Sequence, residues 1–365
     1  MSLLFDPRPK ERRSALFDRE RELAELERAV KRGAPLALCL GVRRIGKTSV
    51  VKVFVNESGY PSVYIDARRL TERGYSKAGL YALLEEGFAK ARGKLTRIAE
   101  YLRGLKGVTV GGLGVELDWG SRELSLTALL ERLDEYAGDR GEPFIVVVDE
   151  AQELRFLKGY NRVDFAKVLA YSYDNLRNLK FVLTGSEVGV LYGFLALEDR
   201  ESPLYGRARD EIVIERFGRE ESIEFLETGF AEAGVSVPRE VVEKVVDALD
   251  GIPGWLALYG YEVVSKGEVV DAAAILERAV GVALTELRRD ARQSELYGHV
   301  LRAVALGYGR WSTIKRAAEA WMGRRIPDES LRRSLRRLVE ISLLSRVDDE
   351  YEFLDPVYRE AAKRL

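Results

Sequence analysis

Cysteine occurs once in this 365-residue sequence, as Cys39, and histidine once, as His299. A lone cysteine inside the apolar run Leu36-Ala37-Leu38-Cys39-Leu40 excludes a disulfide framework and a cysteine-built metal site. A lone histidine removes in practice a Ser–His–Asp triad and a histidine-rich zinc site, and leaves His299 as an ordinary helix residue. No apolar stretch approaches the ~18 residues of a membrane span. The start, Met1 to Arg13, is too charged to read as a secretory signal, so a cytoplasmic protein is expected. A net charge is also missing: 58 Lys and Arg stand against 59 Asp and Glu, so any nucleic-acid contact must come from a local patch. Methionine, asparagine and glutamine are scarce while charged residues reach 32%, a balance that suits a thermophile rich in surface ion pairs.

What is present is a phosphate cradle. The run Leu36–Leu40 reads as a buried strand, Gly41-Val42-Arg43-Arg44-Ile45-Gly46-Lys47-Thr48 as a glycine-punctuated loop, and Ser49 to Val55 as a helix with Val50, Val51, Phe54 and Val55 on one face. Such a loop turns backbone N–H groups inward, and the positive end of the helix dipole adds to them. Lys47 is expected at the β- and γ-phosphates and Thr48 on Mg²⁺. The spacing therefore implies nucleotide binding. Phe144-Ile145-Val146-Val147-Val148-Asp149-Glu150 is an apolar run closing in two carboxylates, as a strand buried on both faces would. Acids at such a strand end lie where open α/β sheets take their ligands. Asp149 suits Mg²⁺, and Glu150 suits polarising the attacking water. Asn178–Ser186 reads as a further strand, with Thr184 or Ser186 free to bond that water or the γ-phosphate.

The other segments give the organisation. A helix opens near Phe17-Asp18-Arg19-Glu20 and ends before Gly33 and Pro35. Pro61–Asp66 is the second strand, followed by helices from Tyr75 to Arg92 and Leu95 to Leu105. Val108–Leu117 alternates around Gly111-Gly112 and reads as an inserted hairpin. Leu124 to Arg140 is a helix, and Asp210–Ile214 the last strand of the sheet. Strands alternating with helices make this part a parallel α/β domain. From Arg219 helices follow one another: Glu220–Ala233, Arg239–Leu249, Trp255–Ser265 and Asp271–Arg292. The last segment reads as helices Tyr297–Leu306, Thr313–Trp321 and Asp328–Glu340, then a hairpin over Leu343–Leu354, the order of a winged helix-turn-helix. On its third helix Leu331, Leu335 and Leu338 face a core, and Arg332, Arg333, Arg336 and Arg337 line the other side. The expected units are 1–217, 218–292 and 293–365.

With these motifs in place, the sequence resembles the archaeal P-loop ATPase family related to the AAA+ and STAND ATPases. The likeness covers nearly the whole chain and rests on Phe17–Leu23, Gly41–Thr48, Val148–Gln152, Thr184-Gly185-Ser186, Pro203–Arg207, Gly251-Ile252-Pro253 and Leu354–Tyr358. It implies a P-loop NTPase sheet of AAA+ type, with the strand ending in Thr184-Gly185-Ser186 between the phosphate-loop strand and the Asp149-Glu150 strand, then a helical lid and a C-terminal winged helix. It further implies that Phe17, Asp18 and Arg19 help hold base and ribose, that Pro253 packs the lid on adenine, and that ATP or ADP binds with Mg²⁺ through Gly41 to Ser49. One departure stands out: Trp255-Leu256-Ala257-Leu258 occupies the lid position where AAA+ proteins carry a sensor arginine, which makes Arg207 the better candidate for a γ-phosphate arginine, within one chain or across to a second copy.

Three function classes follow: an Mg²⁺-dependent ATPase whose nucleotide state repositions lid and winged helix, a slow nucleotide-gated switch acting through a protein partner, and a DNA-binding regulator with a vestigial ATPase. Intact Lys47, Thr48, Asp149 and Glu150 argue against the third. Duplex DNA through the arginine face, a protein partner and a second copy of the chain all remain open, whereas a membrane is not expected. Acidic Asp348-Asp349-Glu350 at the wing tip would repel phosphate.

Overall fold

The computed structural model describes residues 4–90, 95–111, 114–117, 125–157, 164–291 and 294–365. Its first part is a five-stranded parallel sheet of order β2-β5-β6-β1-β7, built from β1 (Leu36–Leu40), β2 (Ser62–Asp66), β5 (Phe144–Asp149), β6 (Leu179–Gly185) and β7 (Asp210–Val213). Strands β1, β5 and β6 are buried at every residue, which is why β1 and β5 read as apolar runs, while β6 also buries Lys180 and Thr184. The edge strands β2 and β7 are buried only in part. Around the sheet lie α1 (Glu20–Lys31), α2 (Lys47–Glu57), α3 (Leu70–Arg73), α4 (Lys77–Lys90), α5 (Leu95–Leu102), α6 (Leu126–Arg140), α7 (Phe165–Asn175) and α8 (Val188–Leu195). They close two apolar layers, one on each face. Strands β3 (Val108–Gly111) and β4 (Gly114–Leu117) pair antiparallel apart from the sheet, as the inserted hairpin requires. Its turn residues Gly112 and Leu113, and the expected helix ends Arg92, Leu124 and Arg292, lie outside the described residues.

The lid helices are α9 (Arg219–Ala233), α10 (Arg239–Leu249), α11 (Pro253–Lys266) and α12 (Ala272–Ala291). The winged-helix part is α13 (Glu295–Ala305), α14 (Trp311–Met322), α15 (Asp328–Glu340), β8 (Leu344–Val347), β9 (Glu350–Phe353) and α16 (Pro356–Ala362). Helix α16 is an addition to the sequence reading. Asp355 caps it by accepting from Val357 N at 2.8 Å, Pro356 starts it, and it packs along α12. One apolar core runs without a break from α9 to α16.

Residues 4–17 connect the two halves. Phe5 is fully buried in the lid, edge-on to Phe225 and Phe230. It fits only because Gly229 and Gly260 lack a Cβ, which at either position would stand 2.3 Å from its ring. A few residues on, the same segment is fixed to α2: Ser49 Oγ accepts from Lys10 N at 3.0 Å, Glu57 accepts from Arg13 N at 2.7 Å, and Asn56 donates to Glu11 O at 2.9 Å. Among the described residues no helix is long and apolar enough to cross a membrane.

Candidate active site

With β6 between β1 and β5, the loop after β1 and the carboxyl ends of β5 and β6 meet at one edge of the sheet. Gly41 takes φ +151°, and a Cβ there would stand 2.7 Å from Ile214 O, so the first loop position admits only glycine. Gly46 begins α2 from the left-handed region at φ +101°, and Arg44 holds φ +66°, a strained value for a residue with a side chain. Lys47 is buried, and its Nζ donates to the carbonyls of Gly41 and Val42 at 2.8 Å each. Burial pulls its pKa down to about 8, although the charges of Glu150 and Asp149 work the other way.

Asp149 has no exposed surface. Its Oδ2 accepts from Thr48 at 2.9 Å and from Tyr64 at 2.7 Å, and its Oδ1 accepts from the Thr184 hydroxyl. Thr184 in turn accepts from Glu150 N at 2.9 Å, which ties the two carboxylates to the end of β6. Glu150 sits in the left-handed region at φ +53°. Its Oε2 accepts from Gln152 Nε2 at 2.6 Å, Ser186 Oγ at 2.7 Å and Ser186 N at 3.1 Å. Burial alone would raise the Glu150 pKa, but the Lys47 charge and these hydrogen bonds outweigh it, so the carboxyl lies below its ordinary value and is ionised at neutral pH.

These groups open onto a cleft of about 980 Å³. Of the residues expected at the site, Phe17, Arg19, Arg43, Arg44, Ile45, Gly46, Lys47, Thr48, Ser49, Glu150, Ser186 and Pro253 line it. Asp149 and Thr184 lie buried behind it, while Gly41 and Val42 contribute the carbonyls under Lys47. Phe17 packs edge-on against Phe217 and Phe225, giving the cleft an apolar end suited to a base. The Arg19 guanidinium lies 4.3 Å from the centre of the Phe217 ring and donates to Glu215 O at 3.0 Å. Asp18 is exposed and offers its carbonyl to Arg19.

Arg207 does not reach this cleft within the chain. Its guanidinium forks onto Asp174 of α7, with Nη2 to Oδ2 at 2.9 Å, and its Nε donates to Pro203 O at 2.6 Å. The expectation that it meets the γ-phosphate of its own chain is thus corrected. Arg44 of the loop lies over the ring of Trp255, 4.2 Å from its centre, and Arg289 of α12 lines the same cleft. Trp255 is itself fixed by donating from Nε1 to Asp355 at 2.9 Å.

Two acidic residues that sequence reasoning missed complete the surroundings. Glu286 of α12 accepts from Arg44 at 2.6 Å, Arg43 at 3.4 Å and the Tyr358 hydroxyl. Glu187, just after Ser186, meets Arg43 at 3.3 Å, Arg155 at 3.6 Å and Arg337 of α15 at 3.9 Å. The only sequence signal for either was position: Glu187 follows a strand end at the ligand-binding edge, whereas Glu286 lies 242 residues from Arg44.

The donor set fits a nucleotide with Mg²⁺. A half-buried hydroxyl and a buried carboxylate 2.9 Å apart are hard oxygen ligands beside a glycine cradle. Among the described residues no cluster of three or more His, Cys, Asp or Glu could hold a metal ion.

Comparison with known proteins agrees with this geometry. The ATPase domain predominantly from Archaea matches residues 16–258, and the MCM protein C-terminal winged helix-turn-helix domain matches residues 291–354. Among solved structures, the Walker-type ATPase PABY2304 of Pyrococcus abyssi is similar over 99% of both chains, at 38% identity and a TM-score of 0.84. The ORC2 protein of Aeropyrum pernix, solved as ADPNP–ADP complexes, shares the fold over 99% of this chain and 96% of its own, at 14% identity and a TM-score of 0.60. No curated protein sequence matches. By its sequence match, its sheet order and its phosphate cradle, the chain belongs to the family of ATPase domains found predominantly in Archaea.

Proposed function

We propose that the protein is a Mg²⁺-dependent ATPase whose phosphate state sets how the lid (218–292) and the winged helix (293–365) dock on the core (1–217). Glu150 takes the proton of the attacking water, Ser186 and Gln152 hold its carboxylate, and Lys47 receives the β- and γ-phosphates. Thr48 and Asp149 would hold Mg²⁺, which would supply charge neutralisation at the phosphate oxygens.

The observation that carries the reading is the fate of Arg43 and Arg44. Two cations of the phosphate loop are bound to Glu187 and Glu286, and those two carboxylates also bind Arg337 and Tyr358 of the C-terminal part. A triphosphate entering the loop competes with both carboxylates for the same guanidinium groups. Whatever the phosphates win, α12 loses, because its Glu286 is held to the phosphate loop by those two arginines. Glu286→Gln should therefore loosen the C-terminal part without nucleotide, seen as faster limited proteolysis between lid and winged helix than in wild type. A wild-type pattern in both nucleotide-free and ATP-bound protein would refute the link.

A slow switch that retains ADP uses the same contacts, because four arginines around two carboxylates suit a long-lived docked state. A burst of phosphate release followed by a slow steady rate would favour it over continuous turnover. For the winged helix, the proposed partner is duplex DNA. Arg332, Arg333 and Arg336 are exposed on α15, and the acidic wing tip is partly neutralised, with Glu350 paired to Arg310 at 2.9 Å and Asp349 to Arg346 at 2.5 Å. Binding should fall steeply with salt, and Arg332→Ala with Arg336→Ala should flatten the slope by about two phosphate contacts. Absence of duplex binding at low salt assigns the face to a protein partner.

A further inference from the structure

Strand β2 ends beside β5 in a register that pairs Asp66 with Asp149, so two carboxylates stand next to each other at the sheet edge. Arg68, two residues past Asp66, answers both. Its Nε and Nη2 donate to Asp66 at 2.8 and 2.6 Å, and its Nη2 lies 3.7 Å from Asp149 Oδ2. That same Oδ2 accepts from Thr48 and, at the shortest of these distances, from the Tyr64 hydroxyl at 2.7 Å. Neither Tyr64 nor Arg68 belongs to a sequence motif.

The three groups on Oδ2 have different fates when a divalent cation arrives. Thr48 can ligate the ion through an oxygen lone pair while its O–H still donates to Asp149, so it acts as a ligand itself. Arg68 carries positive charge and is repelled by the ion. It also has somewhere to go, because it lines both the main cleft and a side cleft of about 350 Å³ bounded by Thr48, Lys52, Tyr64 and Asp66. Tyr64 alone is neutral, donates to Oδ2 and does not compete for the ion. We propose that Tyr64 is a positioning residue that fixes the Asp149 carboxylate for the divalent cation, and that Arg68 is the counter-charge which occupies the carboxylate pair until the cation displaces it. The inference rests on reading Thr48 and Asp149 as the metal side of the site.

The two halves demand opposite signs, which a merely structural role would not give. Outer-shell partners of metal ligands are worth roughly 10- to 100-fold in affinity. With Mn²⁺ as the probe, titrated into the full-length protein–ADP complex and followed by electron paramagnetic resonance, Tyr64→Phe should raise the Mn²⁺ dissociation constant by about tenfold. Arg68→Gln should lower it, because a competing cation is removed while Asp66 and Asp149 remain. ADP affinity in the presence of a chelator should be unchanged in Tyr64→Phe. Unchanged Mn²⁺ affinity in both variants, or a shift in the same direction, overturns the proposal. Thr48→Ala separates that failure from a failure of the underlying reading. If Thr48→Ala leaves Mn²⁺ affinity intact, the metal side was misassigned. If it weakens Mn²⁺ while Tyr64→Phe does not, the assignment of Tyr64 alone falls.

Discussion

Glu150→Gln is expected to bind ATP and hold it, with turnover reduced by about 10²- to 10⁴-fold, the usual worth of a positioned general base. The geometry explains why so small a change should act so strongly. Gln152 and Ser186 send three hydrogen bonds to the Oε2 position of Glu150, and these donors select the carbonyl oxygen of a glutamine there. The amide NH₂ must then occupy the Oε1 position, presenting a donor where an acceptor is needed. Backbone, volume and the Lys47–Thr48 cradle are left as they were, so ATP affinity should survive. Phosphate release under single turnover, together with the ATP retained after gel filtration, measures both halves. Release at the wild-type rate would make Glu150 a structural residue.

Lys47→Ala should lower kcat/KM for ATP by roughly 10²- to 10³-fold, the loss seen when one preorganised donor to developing charge is removed. The ammonium donates to the carbonyls of Gly41 and Val42, both of which belong to the loop expected to receive phosphate. The side chain is thus already desolvated, and a phosphate has only to exchange for two carbonyls. With alanine in its place, those carbonyls face the phosphate oxygens unshielded, a repulsion that adds to the lost attraction. Titration of a fluorescent ATP analogue separates the binding loss from the catalytic one. Wild-type affinity and rate together would show that Lys47 does not face the phosphates.

The parts of the site that local sequence could reveal are those built by local geometry. The Gly41–Thr48 loop, the carboxylates closing β5 and the polar end of β6 each sit on one strand-to-helix junction, and periodicity alone finds such junctions. The arginine helix was legible for the same reason. Contacts made between distant elements were not. Glu286 looks like any charged residue on α12 until the fold lays it against Arg44. Tyr64 and Arg68 become visible only when β2 is known to neighbour β5. Arg207 was the arginine left when the lid position held Trp255, yet Asp174 on α7 holds it, and no spacing rule anticipates a partner 33 residues away.

The segment from Phe5 to Lys10 sets a mechanical limit on the motion proposed for the lid. One end is plugged between Gly229 and Gly260 and the other is bonded to Ser49 beside the phosphate loop. Five residue steps of fully extended chain span at most ~16–18 Å. A lid that moves as proposed would swing on a leash: within that radius both anchors would stay intact, and any wider opening would first have to draw an aromatic ring out of a fully buried slot. Small openings would be cheap and large ones thresholded, a built-in stop that would not depend on what is bound in the cleft.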